Sequence, residues 1–251
     1  MPRIQVIFFD FGSTLIYTKD PWEPFYKRAD QAMAAVFRQA GIPFDLRWIA
    51  GKFDSFLDAY YDERGAGMIE KTTFSLLQNG LESHSAAKVP PSLVREALDA
   101  LYAVTQKNWY LEDDTIPTLT ALRAAGFRLG MISNTSDDDN VQQLLDRWEL
   151  RPFFDAIVTS AGCGIRKPDG RIFRIALDHF NVPPEQAAMV GDTPAADILG
   201  ASRMGIYSIW IIRRIQDAAN DPDRAPEPQT VKPDATVGTL HEILDLPVIL
   251  A

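Results

Sequence analysis

Residues 6–20 read VIFFDFGSTLIYTKD, an apolar run that stops at a single carboxylate. Together with the two residues before it, the run covers residues 4–9 and has the length and composition of a strand buried on both faces. Asp10 follows the run directly, and the turn GST occupies residues 12–14. A strand of this kind belongs inside a sheet, and a carboxylate at its end needs a partner there.

The part of the chain from about residue 22 to residue 110 has a helical rather than a strand pattern. Apolar residues recur at intervals of three and four, which indicates a bundle of about four helices without a strand. Glycines and prolines separate the periodic segments. The apolar faces comprise Ala29, Met33, Val36, Phe37 and Ala40, then Phe53, Phe56, Leu57, Tyr60 and Tyr61, then Leu93, Ala97, Leu98, Leu101 and Val104.

After residue 115, short apolar runs alternate with helical segments. Such alternation is typical of a parallel sheet with crossover helices, and the first strand must join that sheet because a single strand is not stable alone. We therefore predict an α/β fold, a doubly wound Rossmann-like core formed by residues 1–16 and 112–251, with residues 17–111 inserted as a helical cap. The expected strands are LGMIS (129–133), AIVTS (156–160), AAMVG (187–191), YSIWII (207–212) and ATVGT (235–239).

Composition and charge exclude several classes of protein. The formal net charge of −9 argues against non-specific binding to nucleic acid or to an anionic membrane. Cys163 is the one cysteine, so no intramolecular disulfide is expected, and a reducing cytoplasm is favoured. No apolar run has the length of a membrane span, and the three separated histidines disfavour a histidine zinc site or a Ser-His-Asp triad. Monomer and homodimer both remain open.

Polar side chains follow the predicted strands at their carboxyl ends. Asp10 ends the first strand, Ser133 and Asn134 end LGMIS, and Asp192 follows AAMVG with Asp197 just beyond. Ligands of open parallel sheets bind beyond the carboxyl ends of the strands, so these side chains are expected at one rim. Neighbouring carboxylates repel each other unless a cation lies between them.

A lysine completes the expected rim. Lys167 lies in the loop after AIVTS, next to Arg166 and before a helix that starts near Asp169. Oxygen ligands without histidine or cysteine favour Mg²⁺, and a lysine with a serine hydroxyl suits a phosphoryl group. A carboxylate beside such a group can act as its nucleophile. The residues alone thus indicate Mg²⁺-assisted phosphoryl transfer.

Four segments resemble the motifs of the haloacid dehalogenase superfamily, in the order in which that family has them. They are FFDFGSTL (8–15), MISNTSD (131–137), RKPDGRIF (166–173) and VGDTPAAD (190–197). The chain resembles those members of the superfamily that carry a helical cap inserted after the first motif. The resemblance implies the fold predicted above and a hydrolase whose substrate is enclosed beneath the cap.

The resemblance also implies roles for individual residues. Asp10 would be the nucleophile and a metal ligand, and Ser133 would hydrogen-bond the transferring group, with Asn134 beside it at the substrate. Lys167 would hold together the charges of the nucleophile and the phosphoryl group. For the metal, Asp192 would bind Mg²⁺, with Asp197 supporting it.

One position departs from the family's pattern. Phosphatases of this superfamily have a second Asp two residues after the nucleophile, which protonates the leaving group and then activates water. This chain has Gly12 there, with Ser13 in the usual place of a glycine. The carbonyl of Gly12 remains available as a metal ligand, and its backbone remains next to the substrate. The side chain that would transfer a proton is missing.

The missing acid leaves several functions open. A phosphatase could act on leaving groups that need little protonation or use an acid from the cap, and it is the function that the acids of VGDTPAAD favour. A 2-haloacid dehalogenase-like enzyme would release halide without a proton, but would need a cap arginine such as Arg28 or Arg38. A phosphonatase-like enzyme would need a cap lysine, for which Lys52 is the candidate. A protein that binds a metabolite without efficient turnover is the non-enzymatic alternative.

Overall fold

The computed structural model describes residues 4–42, 67–84, 89–214 and 232–250. The strands in these ranges are β1 (Val6–Phe9), β2 (Ile16–Thr18), β3 (Trp109–Leu111), β4 (Arg128–Ser133), β5 (Ala156–Thr159), β6 (Ala187–Gly191), β7 (Tyr207–Ile211) and β8 (Ala235–Val237). The apolar face predicted from Phe53 to Tyr61, the residue Lys52 and most of the polar loop before β8 lie outside the described residues.

Helices connect most of these strands. They are α1 (Glu23–Gln39), α2 (Thr73–His84), α3 (Pro91–Thr105), α4 (Thr115–Ala124), α5 (Asp138–Arg147), α6 (Ser160–Cys163), α7 (Gly170–Phe180), α8 (Leu199–Met204) and α9 (Pro247–Leu250). Short 3₁₀ turns cover Gln106–Asn108, Arg151–Phe153, Pro184–Gln186 and His241–Asp245, and Pro194–Ile198 forms a turn of π-helix. Within the described ranges, no helix combines the length and apolarity that crossing a bilayer requires.

The main sheet confirms the predicted α/β architecture. In the part of the chain that is described, six parallel strands lie in the order β5-β4-β1-β6-β7-β8. β1 is central, with Phe9 opposite Met131 of β4 on one side and Val190 of β6 on the other. The strand order therefore reverses next to β1, and the carboxyl ends of β1, β4 and β6 meet at the place where such sheets bind ligands.

Both faces of β1 are covered, which explains its uninterrupted apolar sequence. Ile7 and Phe9 pack into the cluster that includes α4 and α5, whereas Val6 and Phe8 pack into the cluster that includes α7. The side chains of all four are fully buried. Burying a side chain of this size contributes about 1.5–3 kcal/mol, so the strand that carries Asp10 is among the most firmly held parts of the fold.

The helices between β2 and β3 have an apolar cluster of their own. Met33 and Phe37 of α1, Leu77 and Leu81 of α2 and Leu98 of α3 are buried together. The helical periodicity predicted for α1 and α3 is therefore confirmed, and this cluster is separate from the two clusters that cover the faces of the sheet.

The prediction of no strand between residues 22 and 110 was wrong for the last residues of that segment. Trp109–Leu111 forms β3, which pairs with β2 as an antiparallel ribbon in which Thr18 lies opposite Trp109. Three half-buried residues are too few to show an alternating pattern, and the strand exists only because of its distant partner. The chain enters and leaves the helical segment through this ribbon.

Candidate active site

Asp10 lies at the carboxyl end of β1 and is still held by the sheet. Its backbone N–H donates to the carbonyl of Val190 in β6, at 2.8 Å. Asp10 is 8% exposed, so it is almost fully shielded from solvent. The neighbouring strand β6 ends at Gly191, which brings Asp192 to the same rim.

Lys167 joins two of the predicted acids. Its Nζ lies 2.6 Å from Asp10 Oδ1 and 2.6 Å from Asp197 Oδ1, and it donates to the carbonyl of Ile132, also at 2.6 Å. The amine thus has hydrogen bonds to Asp10 and to Ile132 and an ion pair with Asp197. Burial lowers the pKa of Lys167, but the charges of Asp10 and Asp197 raise it by more, so the net pKa is raised and the amine stays charged.

The loop that carries Lys167 is fixed by Asn134. The backbone N–H of Lys167 donates to Asn134 Oδ1 at 2.8 Å, and Asn134 Nδ2 donates to the carbonyl of Lys167 at 3.1 Å. The amide predicted to lie at the substrate thus binds the backbone of the lysine. Ser133, one residue earlier at the end of β4, is 4% exposed and lies opposite Thr159 of β5.

The three acids predicted for the metal come together. Asp10, Asp192 and Asp197 each offer a carboxylate oxygen, and these oxygens lie within 4.8 Å of one another. Burial and the charge of Asp10 raise the pKa of Asp197, although Lys167 opposes the shift. The second oxygen of Asp197 accepts the backbone N–H of Thr193 at 3.0 Å. Carboxylates this close repel one another unless a cation lies among them, and Lys167 is such a cation for Asp10 and Asp197.

Gly191 makes room for Asp197. A Cβ at Gly191 would lie 2.3 Å from the carboxyl carbon of Asp197, which is inside the contact limit. Asp197 therefore reaches Lys167 by crossing the space where a side chain would otherwise lie. Asp192 is anchored separately, because Trp210 donates its indole N–H to the Asp192 carbonyl at 3.0 Å.

An aromatic group borders Gly12. A Cβ on Gly12 would lie 3.5 Å from Cη2 of Trp109, which is an ordinary contact. The ring of Trp109 packs edge-on against Trp22, with centroids 5.9 Å apart, and Trp22 stacks on Tyr26 at 5.4 Å. The space next to the missing acid is thus bounded by an apolar ring. Ser13, the next residue, has φ of 57° and occupies the left-handed conformation that a glycine would adopt more easily.

Comparison with known proteins identifies the family of this chain. Residues 4–205 match the haloacid dehalogenase-like hydrolases, which is most of the chain and includes Asp10, Lys167, Asp192 and Asp197. The chain belongs to the haloacid dehalogenase-like hydrolases. It is therefore a hydrolase by family.

Named members of this hydrolase family differ in their chemistry. The chain is 31% identical to the phosphoserine phosphatase of Thermus thermophilus over 231 residues. The alignment covers 88% of this chain and 85% of that protein. The chain is 31% identical over 214 residues to the glyceraldehyde 3-phosphate phosphatase of Pyrococcus furiosus, with 84% and 81% covered. Among solved structures, the 2-haloacid dehalogenase of Pseudomonas syringae pv. Tomato is similar with a TM-score of 0.69 at 25% identity, over 99% of this chain and all of that one.

Sequence reasoning about this hydrolase missed Glu70 entirely and gave Arg166 no role. The Glu70 side chain is fully buried, forms an ion pair with Arg166 and accepts a hydrogen bond from Ser160 Oγ at 2.6 Å. Glu70 is the only acid in the stretch GMIEKTT (67–73), and nothing in this stretch predicts that it pairs with Arg166, 96 residues away. Trp109 was also missed as a neighbour of Gly12.

Proposed function

We propose that this hydrolase is a Mg²⁺-dependent phosphohydrolase that acts on a small phosphorylated metabolite. The observation that carries the proposal is the buried Lys167, 2.6 Å from both Asp10 and Asp197 and beside the further acid Asp192. The two phosphatases that are 31% identical to the chain, one for phosphoserine and one for glyceraldehyde 3-phosphate, support the same chemistry.

In this proposal the division of the chain follows the β2–β3 ribbon. Residues 1–16 and 112–251 form the catalytic core, and residues 17–111 form a cap. The separate apolar cluster of α1, α2 and α3 supports a unit of its own, and its hydrogen bonds to the loops around Lys167 support its place over the site. A cap in this place excludes bulk water while the phosphoryl group is transferred.

The donor set fits Mg²⁺. All candidate ligands are hard oxygens, and Lys167 pairs with two of the three carboxylates, Asp10 and Asp197. Asp10, Asp192 and the carbonyl of Gly12 would hold the ion. Asp197 would support the site, since its oxygens bind Lys167 and the N–H of Thr193. When bound, the ion neutralises charge on the phosphoryl oxygens.

The proposed reaction has two steps. The Asp10 carboxylate attacks phosphorus, the bond from phosphorus to the leaving oxygen breaks, and an aspartyl-phosphate remains. The leaving group departs as an anion and takes its proton from solvent. Water then attacks the phosphorus and gives up a proton to solvent, the bond from phosphorus to the Asp10 oxygen breaks, and inorganic phosphate leaves as the Asp10 carboxylate is restored. Lys167 stays protonated throughout and balances the charge of Asp10 and the transferring group, with Ser133 as a further donor to that group.

Gly12 sets the kind of leaving group. General acid catalysis typically contributes about 10²–10⁴-fold, so a site without the acid loses that factor for poor leaving groups such as alkoxides. Aryl and acyl phosphates need little protonation and lose less. The ring of Trp109 beside Gly12 offers an apolar surface to such a group.

A dehalogenase is the second candidate, because halide leaves without a proton and the chain resembles the Pseudomonas enzyme. The candidate arginines do not favour it. Arg28 is exposed on α1, donates to the carbonyl of Pro24 at 3.0 Å and lies over the ring of Phe25, and Arg38 is exposed as well. The cluster of Asp10, Asp192 and Asp197 also suits a metal that dehalogenation does not need.

One assay separates the candidates. Hydrolysis of an aryl phosphate is measured with and without Mg²⁺, beside chloride release from L-2-chloropropionate. Mg²⁺-dependent phosphate release without chloride release supports the phosphohydrolase. Metal-independent chloride release contradicts it, and the absence of both with a panel of metabolite phosphates favours a binding protein.

A further inference from the structure

A short segment before α2 lies against the loop that leads to Lys167. The N–H of Arg166 donates to the carbonyl of Met68 at 2.9 Å, and the N–H of Glu70 donates to the carbonyl of Gly164 at 3.0 Å. Ile69 and Ile165 lie opposite each other between these bonds, as in an antiparallel strand pair. The contact ends one residue before the lysine that binds Asp10 and Asp197.

The side chain of Glu70 extends this contact. Its carboxylate pairs with Arg166 and accepts from Ser160 Oγ at 2.6 Å, and Ser160 Oγ in turn accepts the N–H of Thr135 at 2.8 Å. Ser160 begins α6, and Thr135 follows Ser133 and Asn134 in the loop after β4. One buried carboxylate therefore connects the loop of Lys167 with the loop of Ser133.

A second contact, made of two hydrogen bonds, holds the same segment to the loop that follows β4. Thr73 donates its N–H to the carbonyl of Ser136 at 2.8 Å and its hydroxyl to Ser136 Oγ at 2.9 Å. The segment of residues 68–73 is thus fixed at both ends. These contacts hold the loop of Lys167 and the loop after β4, which Asn134 also connects through its two hydrogen bonds to the Lys167 backbone.

We propose that Glu70 is a positioning residue that holds the Arg166–Lys167 backbone so that the amine of Lys167 stays between Asp10 and Asp197. The inference rests on the proposed role of Lys167. Burying a carboxylate is costly unless it is paired and hydrogen-bonded, and in some proteins such a group specifies one arrangement of the segments it joins. A small misplacement of a catalytic group can reduce the rate about 10²-fold, so a residue that never touches substrate can still govern turnover.

The test is Glu70→Gln, which keeps the shape and removes the charge. We expect kcat for an aryl phosphate with Mg²⁺ to fall about 10–100-fold, as for residues that orient active-site ligands. KM should change less than about threefold, because the side chain makes no contact with substrate in this proposal. Independently of activity, amide hydrogen exchange in a peptide covering residues 160–169 should become faster.

Arg95→Gln is the matched control. Arg95 of α3 also forms an ion pair between the helical segment and the core, with Asp137 at 2.9 Å, but its described contacts are with Asp99, Tyr102, Asp137 and Asp139 rather than the Lys167 loop. It should leave kcat and the exchange of residues 160–169 near the wild-type values. Equal effects of both variants would overturn the proposal in favour of general docking of the helices.

A double variant covers the case in which Glu70→Gln does not fold. Glu70→Gln with Arg166→Gln removes both charges, so no unpaired charge is left buried, and it should still show fast exchange and low kcat. Wild-type exchange and kcat in either folded variant would overturn the proposal. If the wild-type protein hydrolyses no phosphate ester, the proposed function fails, and the exchange comparison alone decides whether Glu70 positions the loop.

Discussion

Trp109 borders Gly12 so closely that a Cβ on the glycine would touch its ring, at 3.5 Å from Cη2. The ring comes from β3, at the far end of the helical segment, and Gly12 from the turn after β1. Trp109, which follows the helical segment, thus forms one wall of the space where the family resemblance would place a second Asp. The distance is an ordinary contact, and the backbone of Gly12 is not in the left-handed region, so a side chain can be added without a clash.

Gly12→Asp tests whether the missing acid limits the rate. Hydrolysis of alkyl phosphates should rise by about 10-fold or more, within the range of general acid catalysis. Aryl phosphates should gain less, because their leaving groups need little protonation. Steady-state kinetics on an alkyl and an aryl ester measure the difference. Gly12→Asn introduces a side chain of the same size as Asp that cannot act as a general acid, so it should give no gain. A gain with Asn would point to packing against Trp109 instead.

Asp10→Asn should remove turnover while the fold persists. The amide is a poor nucleophile and a weaker metal ligand, so kcat should fall by more than about 10³-fold. Lys167 keeps Asp197 and the carbonyl of Ile132 as partners, so far-UV circular dichroism and the melting temperature should stay close to wild type. Phosphate release at a tenth of the wild-type rate or more would exclude Asp10 as the nucleophile.

Mg²⁺ should stabilise the protein even without substrate. A ligand that binds only the native state at 100 times its Kd adds about 2.7 kcal/mol to the free energy of unfolding. Asp192→Asn should reduce this stabilisation, since it removes a ligand and leaves the Lys167 contacts in place. Thermal melts with EDTA and with a Mg²⁺ series measure the shift. Asp155→Asn, which changes only a half-exposed pair with Arg123 and a backbone hydrogen bond from Leu129, is the control that should respond to Mg²⁺ like wild type.

Asp114 should make stability depend on pH in the acid range. Burial raises its pKa, but the hydrogen bonds and charge of Arg213 and the N–H groups of Leu240 and His241 lower it by more, so the net pKa lies below the usual value. A lowered pKa contributes stability that is complete above the usual value near 4 and is lost as the pH falls through the lowered one.

Asp114→Asn measures that contribution. The variant should lose about 1.5–2 kcal/mol in the free energy of unfolding at pH 7, the lower part of the range for hydrogen bonds to a charged group because the pair is partly solvated. Urea titrations at pH 7, 5, 4 and 3 should show the difference between wild type and variant shrinking only below about pH 4. A difference that is constant down to pH 3 would mean that the charge of Asp114 is not responsible.

The strands and the rim were predictable because each depends on a local pattern and one general rule. The apolar run before Asp10 and the runs before Ser133 and Gly191 identify buried strands, and parallel strands bring their carboxyl ends together. The helix start at Asp169 was likewise correct, since its side chain accepts the N–H of Arg171 as a cap.

What the sequence could not reveal depends on pairs that are distant in the chain. β3 forms only against β2, Trp109 meets Gly12 only through that ribbon, and Glu70 finds Arg166 only when both segments have folded. Asn134 shows the same limit at shorter range. Its place after a strand was predicted, but its two bonds to the Lys167 backbone follow from the loop's path, which no residue pattern encodes.

The β2–β3 ribbon also bears on how such a protein can change over generations. Because Thr18 lies opposite Trp109, the chain departs from the core and returns to it at neighbouring points. Residues 19–108 can therefore lengthen, shorten or be exchanged for another segment while the strands of the main sheet keep their places. The acids proposed for catalysis and the proposed cap can be inherited separately, because the main chain passes between them only through these two short strands.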